Sequence, residues 1–346
     1  MTDIDLLASL SFTEKEYLRL VPCVRVTLYL DTIAAAEVIE YCDGALTLLR
    51  PKLAYYLSGS MRRPAAMADK ASGIVASWFR RPREGISPYF AMFTGADEEG
   101  TSPVTLRIVI NYRAPRIFSA EEIEVRRERL RVLYEERGTK LTAAVSEITL
   151  TMPLEMEAAH PEPLRRWLLE RPLITETAFA SGHAGLGLNH DGLVANTALS
   201  DEISGRLADA VVCHPGLDWQ KNGVLDRIVR YDRSTRDLVP QIKRVNWLTL
   251  TSFRTLALLG RYEEITDRIA SGPEVAIYPL RHGLLIQAGR QPALGDTSTG
   301  DLPAAYCHVG HALRMMRLST MTGDGGSFSD ELAQRWLTAF DEERPN

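Results

Sequence analysis

The chain has 346 residues, of which 25% are charged and 45% are hydrophobic. This composition is typical of a globular protein with one large domain or two modest ones, and it excludes a disordered or collagen-like chain. Forty Lys and Arg against 45 Asp and Glu leave a net charge of −5. Nucleic-acid and anionic-membrane binders usually carry a basic excess, so this charge argues against both classes.

The N-terminus and the cysteine content predict a cytoplasmic protein. The first ten residues lack the basic and apolar segments of a secretory signal, and no apolar run approaches the roughly 18 residues that a membrane-spanning helix needs. The chain has four cysteines, Cys23, Cys42, Cys213 and Cys307. They are too few and too far apart for a disulfide scaffold, so a reducing compartment is the simpler expectation.

The N-terminal part predicts a strand, a helix and then a hairpin. Residues 22–30 alternate apolar and polar side chains, which is typical of a half-buried strand, and helical spacing follows as far as Pro51. Residues 86–95 and 103–112 are two further strand-like runs, and the short loop between them predicts an antiparallel hairpin. A hairpin that follows a strand–helix unit favours an α+β fold over a doubly wound α/β fold.

The rest of the chain continues the same mixture of elements. A capping box at Ser119 and Glu122 opens a densely charged helix. Residues 138–144 are a plausible link between an N-terminal α+β lobe (1–140) and a C-terminal α+β lobe (141–346), which form either two similar lobes or one continuous domain. Strands are predicted at 147–152, 244–249, 275–279 and 283–288, and helices near 163–168, 199–211, 224–229, 304–318 and 329–340. The expected fold is α+β, with antiparallel sheets and flanking helices.

The sequence contains no convincing catalytic motif. There is no nucleophile elbow and no zinc-binding spacing, and the glycine-rich segment 181–187 lacks the lysine of a phosphate-binding loop. That segment better fits a strand of small residues that lets another element approach closely. Because no catalytic motif is recognisable, we predict no enzyme activity, no cofactor and no metal. The strongest alternative is a small-molecule or metal-dependent hydrolase that uses His183, His308 and His311.

Three segments of the C-terminal half carry a family resemblance. They are the run S-G-H-A-G-L-G from Ser181, the run V-N-W-L-T from Val245, and the run G-L-L-I-Q-A-G from Gly283, which leads to L-G-D at Leu294. In this order they resemble the TsiV- or TsiT-like family of bacterial type VI secretion immunity proteins. The resemblance implies a non-enzymatic cytoplasmic antidote. Proteins of this kind bind a toxic effector, often a nuclease, and the expected mode of neutralisation is occlusion of the effector's active site.

The hairpin tip is the predicted effector-binding element, with Asp97, Glu98 and Glu99 as the contact residues. A nuclease holds phosphate with Lys and Arg side chains, so an inhibitor can block the cleft by presenting carboxylates, which also speed association. A tip held between two strands loses little conformational entropy on binding. The alternative is a merely solvated turn. Neither a nucleic acid nor a membrane is an expected direct partner.

Overall fold

Eleven strands form one sheet in the computed structural model, and neighbouring strands are antiparallel. The structure describes residues 3–14, 17–59, 61, 63–68, 71, 73–80, 89–96, 101–111, 142–143, 145–190, 201–219, 228–232, 237–321 and 329–341. The strands of the large sheet are β1 (Phe12–Glu14), β2 (Tyr17–Leu30), β3 (Tyr55–Ser58), β4 (Ala65–Ala66), β5 (Tyr89–Thr94), β6 (Thr105–Ile110), β8 (Ser146–Met152), β9 (Ser181–Asn189), β12 (Leu248–Ser252), β13 (Val275–Pro279) and β14 (Gly283–Ala288).

Across the large sheet the spatial order is β13-β14-β12-β9-β2-β8-β6-β5-β3-β4, and β1 pairs with β2 beside this path. A second sheet joins β7 (Thr142–Ala143), β10 (Val229–Asp232) and β11 (Asp237–Pro240) in the order β11-β10-β7. The central strand β2 pairs with both β8 and β9. The large sheet therefore contains strands from both sides of the boundary predicted at residue 140.

Helices cover the sheet on both faces. In chain order they are α1 (Asp3–Ser9), α2 (Ala35–Leu49), α3 (Ile74–Arg80), α4 (Pro161–Leu169), α5 (Pro172–Thr175), α6 (Asp201–Cys213), α7 (Phe253–Leu256), α8 (Tyr262–Ala270), α9 (Ala304–Leu313) and α10 (Asp330–Thr338). Short 3-10 turns lie at Arg50–Lys52, Glu157–Ala159 and Arg314–Met316. No helix among the described residues is long and apolar enough to cross a membrane.

The first helical layer packs on the face of the sheet that carries Val26. The ring of Tyr41 on α2 meets the ring of Trp167 on α4 edge-on, with the centroids 5.2 Å apart. From α4, Arg165 donates a 2.8 Å hydrogen bond to Gln287, which the strand register places on the same face as Val26. These contacts place α4, and α2 packed against it, on the face of the sheet that carries Val26.

The second layer covers the opposite face, where β2 presents Arg25, Thr27 and Tyr29. In this layer Trp336 of α10 donates a hydrogen bond to the carbonyl of Leu217. The prediction that β2 is half-buried is therefore wrong, because both of its faces are buried. Alternation alone cannot distinguish a solvent-facing polar face from one that lies beneath a second layer.

Most predicted elements within the described residues are confirmed, and some of them have different bounds. The predicted strand at 244–249 begins at Leu248, because the Asn246 side chain accepts a 2.9 Å hydrogen bond from the Trp247 amide and forms a local turn there. The predicted helix at 224–229 lies mostly outside the described residues, and Val229 belongs to β10. The charged helix from Ser119 also lies outside them.

The glycine-rich run is confirmed as strand β9, and it allows a close approach. A Cβ atom on Gly185 would lie 1.9 Å from Oδ1 of Asn246. Any side chain at this position would therefore displace the turn that leads into β12. The α+β class is confirmed as well, with antiparallel strands and flanking helices.

Candidate functional site

The predicted hairpin is present, and its stem is well ordered by hydrogen bonds. Strands β5 and β6 pair from Tyr89 opposite Ile110 to Thr94 opposite Thr105. Beyond the last pair, the amide of Gly95 donates a 3.1 Å hydrogen bond to the carbonyl of Val104. The acidic residues predicted to bind the effector, Asp97, Glu98 and Glu99, lie outside the described residues.

Close packing fixes the direction in which the chain leaves β5. A Cβ atom on Gly95 would lie 2.6 Å from the carbonyl oxygen of Lys52, so only glycine fits there without a shift of the backbone. On the opposite side, the Asn189 side-chain amide of β9 donates a 2.7 Å hydrogen bond to the carbonyl of Ser102, and the Ser102 hydroxyl accepts a 3.0 Å hydrogen bond from the amide of Val104. Both strands that carry the predicted effector-binding turn are therefore anchored to the body of the protein.

A second candidate is a cluster of buried ionisable side chains on the second face of the sheet, made of Arg25, His183, Asp218 and Lys243. The Asp218 carboxylate lies 2.8 Å from the Lys243 ammonium through Oδ1, and its Oδ2 lies 3.1 Å from Nε2 of His183. Neither His183 Nε2 nor Asp218 Oδ2 forms a hydrogen bond of regular geometry within the described part of the chain, so the contact between them is electrostatic. A guanidinium nitrogen of Arg25 lies 3.6 Å from the same oxygen.

These charges control the ionisation of Asp218. Burial by itself would raise the pKa of this carboxyl, but Lys243, His183 and Arg25 together hold its pKa well below the usual range. Burial lowers the pKa of the Lys243 ammonium, and the neighbouring Asp218 carboxylate opposes that shift. Asp218 is therefore the negative centre that makes burial of the surrounding cations tolerable.

Further contacts tie this cluster to the rest of the fold. Arg25 donates to the carbonyl of Leu188 at 3.1 Å and to Oδ1 of Asn189 at 3.2 Å. Lys243 donates to the carbonyl of Trp219. The adjacent guanidinium of Arg244 stacks 4.2 Å from the ring of Trp336, so the cation is held partly by aromatic faces.

The cluster joins strands β2 and β9, through Arg25 and His183, to the segments that carry Asp218 and Lys243. Its four side chains are at most 2% exposed, so none of them reaches a substrate that arrives from solvent. No local sequence pattern points to this group, because Asp218 and Lys243 lie in segments without a periodic pattern. The available signal was the pair of ionisable residues, Arg25 and His183, inside the apolar or small-residue segments 20–30 and 181–189.

The histidines proposed for a hydrolase do not form one site. His183 faces Asp218 beneath the sheet, whereas Nε2 of His308 lies 2.8 Å from the carbonyl of Arg268. His311 contacts the carbonyl of Asp341 at 3.1 Å through Nδ1. Within the described part of the chain, no group of three or more His, Cys, Asp or Glu side chains could hold a metal ion.

Comparisons with known proteins support an immunity class for this fold. A family model described as type VI immunity for VRR-NUC, named TsiV, matches residues 119–340, which is more than half of the chain. A solved structure, the Pseudomonas aeruginosa T6SS protein PA0821, has a similar fold, with a TM-score of 0.71 and 19% sequence identity over 98% of this chain and 91% of that chain. No curated protein matches the chain at a significant level.

The family match thus defines a type VI secretion immunity protein, of a family described as providing immunity to VRR-NUC. The chain belongs to the TsiV family. This membership confirms the resemblance drawn from the ordered motifs at Ser181, Val245 and Gly283. It also indicates a role that does not depend on catalysis.

Proposed function

We propose that this protein is a cytoplasmic antidote that binds a VRR-NUC effector and covers its active site without catalysing a reaction. The observation that carries the proposal is the match of residues 119–340 to the TsiV family. A nuclease must attract a polyanionic substrate, so its active-site cleft presents positive charge. A protein with a net charge of −5 is electrostatically suited to bind such a cleft.

The turn between β5 and β6 is the element that we propose to enter the cleft. Asp97, Glu98 and Glu99 supply three consecutive carboxylates that can take the place of substrate phosphates. The anchored stem at Gly95 and Val104 supports this assignment, because a turn on a fixed base loses less entropy on binding. An interface of usual size buries about 800 Å² on each partner, so other surfaces must also contribute.

The test is binding and rescue with a VRR-NUC effector from the same organism. We expect the wild-type chain to form a stable complex, to inhibit DNA cleavage in vitro and to restore growth of cells that express the effector. The triple variant Asp97→Asn, Glu98→Gln and Glu99→Gln should bind at least roughly tenfold more weakly, mainly through slower association. Unimpaired inhibition by this variant would refute the role of the turn.

A matched control separates local contacts from overall charge. Glu170, Glu202 and Glu331 are exposed acidic residues on other parts of the chain. Changing all three to glutamine alters the net charge by the same amount as the turn variant. We expect this control to retain wild-type affinity apart from a small, salt-sensitive decrease in association rate. Failure of the wild-type chain to bind or protect would refute the proposed function itself.

A further inference from the structure

Arg244 is a buried cation whose hydrogen-bond donors are not matched by the protein around it. The residue is 2% exposed, and neither of its terminal guanidinium nitrogens has a hydrogen-bond partner among the described residues. The guanidinium carbon lies 4.2 Å from the ring centre of Trp336 and 4.7 Å from the ring centre of Phe340. Aromatic faces stabilise a positive charge, but they do not replace the acceptors that a guanidinium finds in water.

The carboxylates that act on Arg244 are engaged by other cations. Asp218 lies 2.8 Å from the Lys243 ammonium, and Asp341 binds the Arg317 guanidinium through both of its oxygens. Burial lowers the pKa of Arg244 to about 9, and the attraction of the two carboxylates only partly offsets this effect. With Arg244 itself, this group holds three cations and two carboxylates. One positive charge is therefore buried in excess.

A small cavity adjoins this residue. It leaves about 10 Å³ for the centre of a water-sized sphere, which is about the space that one water-sized group needs. The charged residues that line it are Arg244, Arg317 and Asp341, and the other lining residues are apolar or glycine. The side chains of Arg317 and Asp341 are 12% and 22% exposed, so the cavity borders solvent on their side. A small ion can therefore enter and leave there.

We propose that this cavity binds a single chloride ion on the guanidinium of Arg244. Chloride is only slightly larger than water, and it accepts hydrogen bonds from both terminal nitrogens while it neutralises the excess charge. Phosphate, sulfate and organic carboxylates exceed the size of one water-sized group. A water molecule fits the space but leaves the charge uncompensated, and its own protons also need acceptors.

The ion would lie where three parts of the chain meet. Arg244 precedes β12, Gly310 belongs to α9, and Phe340 follows α10. The packing leaves little room for adjustment, because a Cβ atom on Gly310 would lie 2.2 Å from the carbonyl oxygen of Phe340. An ion that binds only when these parts are assembled stabilises the folded chain by mass action. This inference is independent of the immunity function and needs no effector for its test.

The first test follows the midpoint of thermal unfolding as sodium chloride replaces sodium gluconate at constant ionic strength. Gluconate is too large for the cavity, so it is the reference anion. We expect the midpoint to rise by at least about 2 °C at about 300 mM chloride, and bromide should act like chloride. A midpoint that does not change when chloride replaces gluconate would overturn the proposal.

Two variants separate binding at this site from a general effect of salt. Arg244→Met removes the guanidinium and keeps an apolar side chain of similar length, so the midpoint should no longer respond to chloride, whatever its value. The matched control is Arg107→Met, which removes a cation that is paired with Glu147 and should leave the chloride response intact. An equal response in both variants would show that chloride acts elsewhere.

Crystals of the wild-type chain grown in sodium bromide supply a test that does not depend on the folding of any variant. At the bromine absorption edge, we expect an anomalous difference peak in contact with the terminal nitrogens of Arg244. Density without an anomalous signal at that position would identify a water molecule and overturn the proposal. Absence of any peak there would also overturn it.

Discussion

Replacing Asp218 with asparagine removes the negative charge that faces two buried cations but keeps the size of the side chain. Lys243 lies 2.8 Å from one carboxylate oxygen, and Arg25 lies 3.6 Å from the other. All three side chains are at most 1% exposed, so water cannot take over the role of the carboxylate. Breaking a buried ion pair by removing one partner costs about 3–5 kcal/mol.

We expect Asp218→Asn to reduce the free energy of unfolding by about 3 kcal/mol, the lower end of that range, because the amide oxygen still accepts a hydrogen bond. The matched variant is Lys243→Met. It leaves Asp218 beside Arg25 and His183, and it removes an ammonium whose pKa is already lowered by burial. Its cost should therefore be smaller, about 1–2 kcal/mol.

Urea unfolding at neutral pH measures both values. Tryptophan fluorescence is the first probe; the chain has five tryptophans, and one of them, Trp336, has its ring centre 5.4 Å from the Lys243 ammonium. Far-ultraviolet circular dichroism is the second probe, and coincident transitions would justify a two-state treatment. Equal destabilisation by Asp218→Asn and Lys243→Met would refute the argument that Asp218 balances several cations.

Three further predictions concern the folded core. The free energy of unfolding of the wild-type chain should fall below about pH 4. The pKa of Asp218 is below its usual 3.8 in the folded state, so the unfolded chain binds the proton first and acid favours unfolding. Asp218→Asn should show less of this loss in an acid titration. Gly185→Ala should cost about 1–3 kcal/mol in urea unfolding because its Cβ meets a polar atom at 1.9 Å, whereas Gly59→Ala, with no neighbour nearer than 3.8 Å, should be tolerated. Arg107→Met removes an ion pair whose side chains are only 14% and 2% exposed, and it should cost about 1–3 kcal/mol by thermal or urea denaturation. Arg281→Met removes an exposed pair and should change stability by less than about 1 kcal/mol. A reversed order within either pair of variants would contradict the burial argument.

Local patterns predicted the hairpins and several helices well because their determinants are close in sequence. The pair β13 and β14 has the predicted bounds, since turn residues separate two short β-rich runs. The helix predicted at 304–318 ends earlier, at Leu313, and continues as a 3-10 turn. Such differences at helix ends are expected, because the last turn of a helix often forms 3-10 rather than α-helical hydrogen bonds.

The acidic turn illustrates a limit of a different kind. The sequence identified a hairpin between residues 86 and 112, and pairing of β5 with β6 confirms it. Whether Asp97, Glu98 and Glu99 contact an effector depends on the surface of another protein, so their role stays a prediction. The division into lobes at residue 140 also stays a prediction, although β2 pairs directly with β8 and β9.

The sequence by itself determined the α+β class, the alternation along each strand and, through three ordered motifs, the immunity family. Tertiary structure decided which polar residues are solvated and which are buried. Arg25 and His183 appear as isolated polar residues in strands, yet the second helical layer covers them and brings Asp218 and Lys243 from distant segments. Charge compensation in a buried site depends on distances between residues far apart in the chain, and periodicity carries no information about those distances.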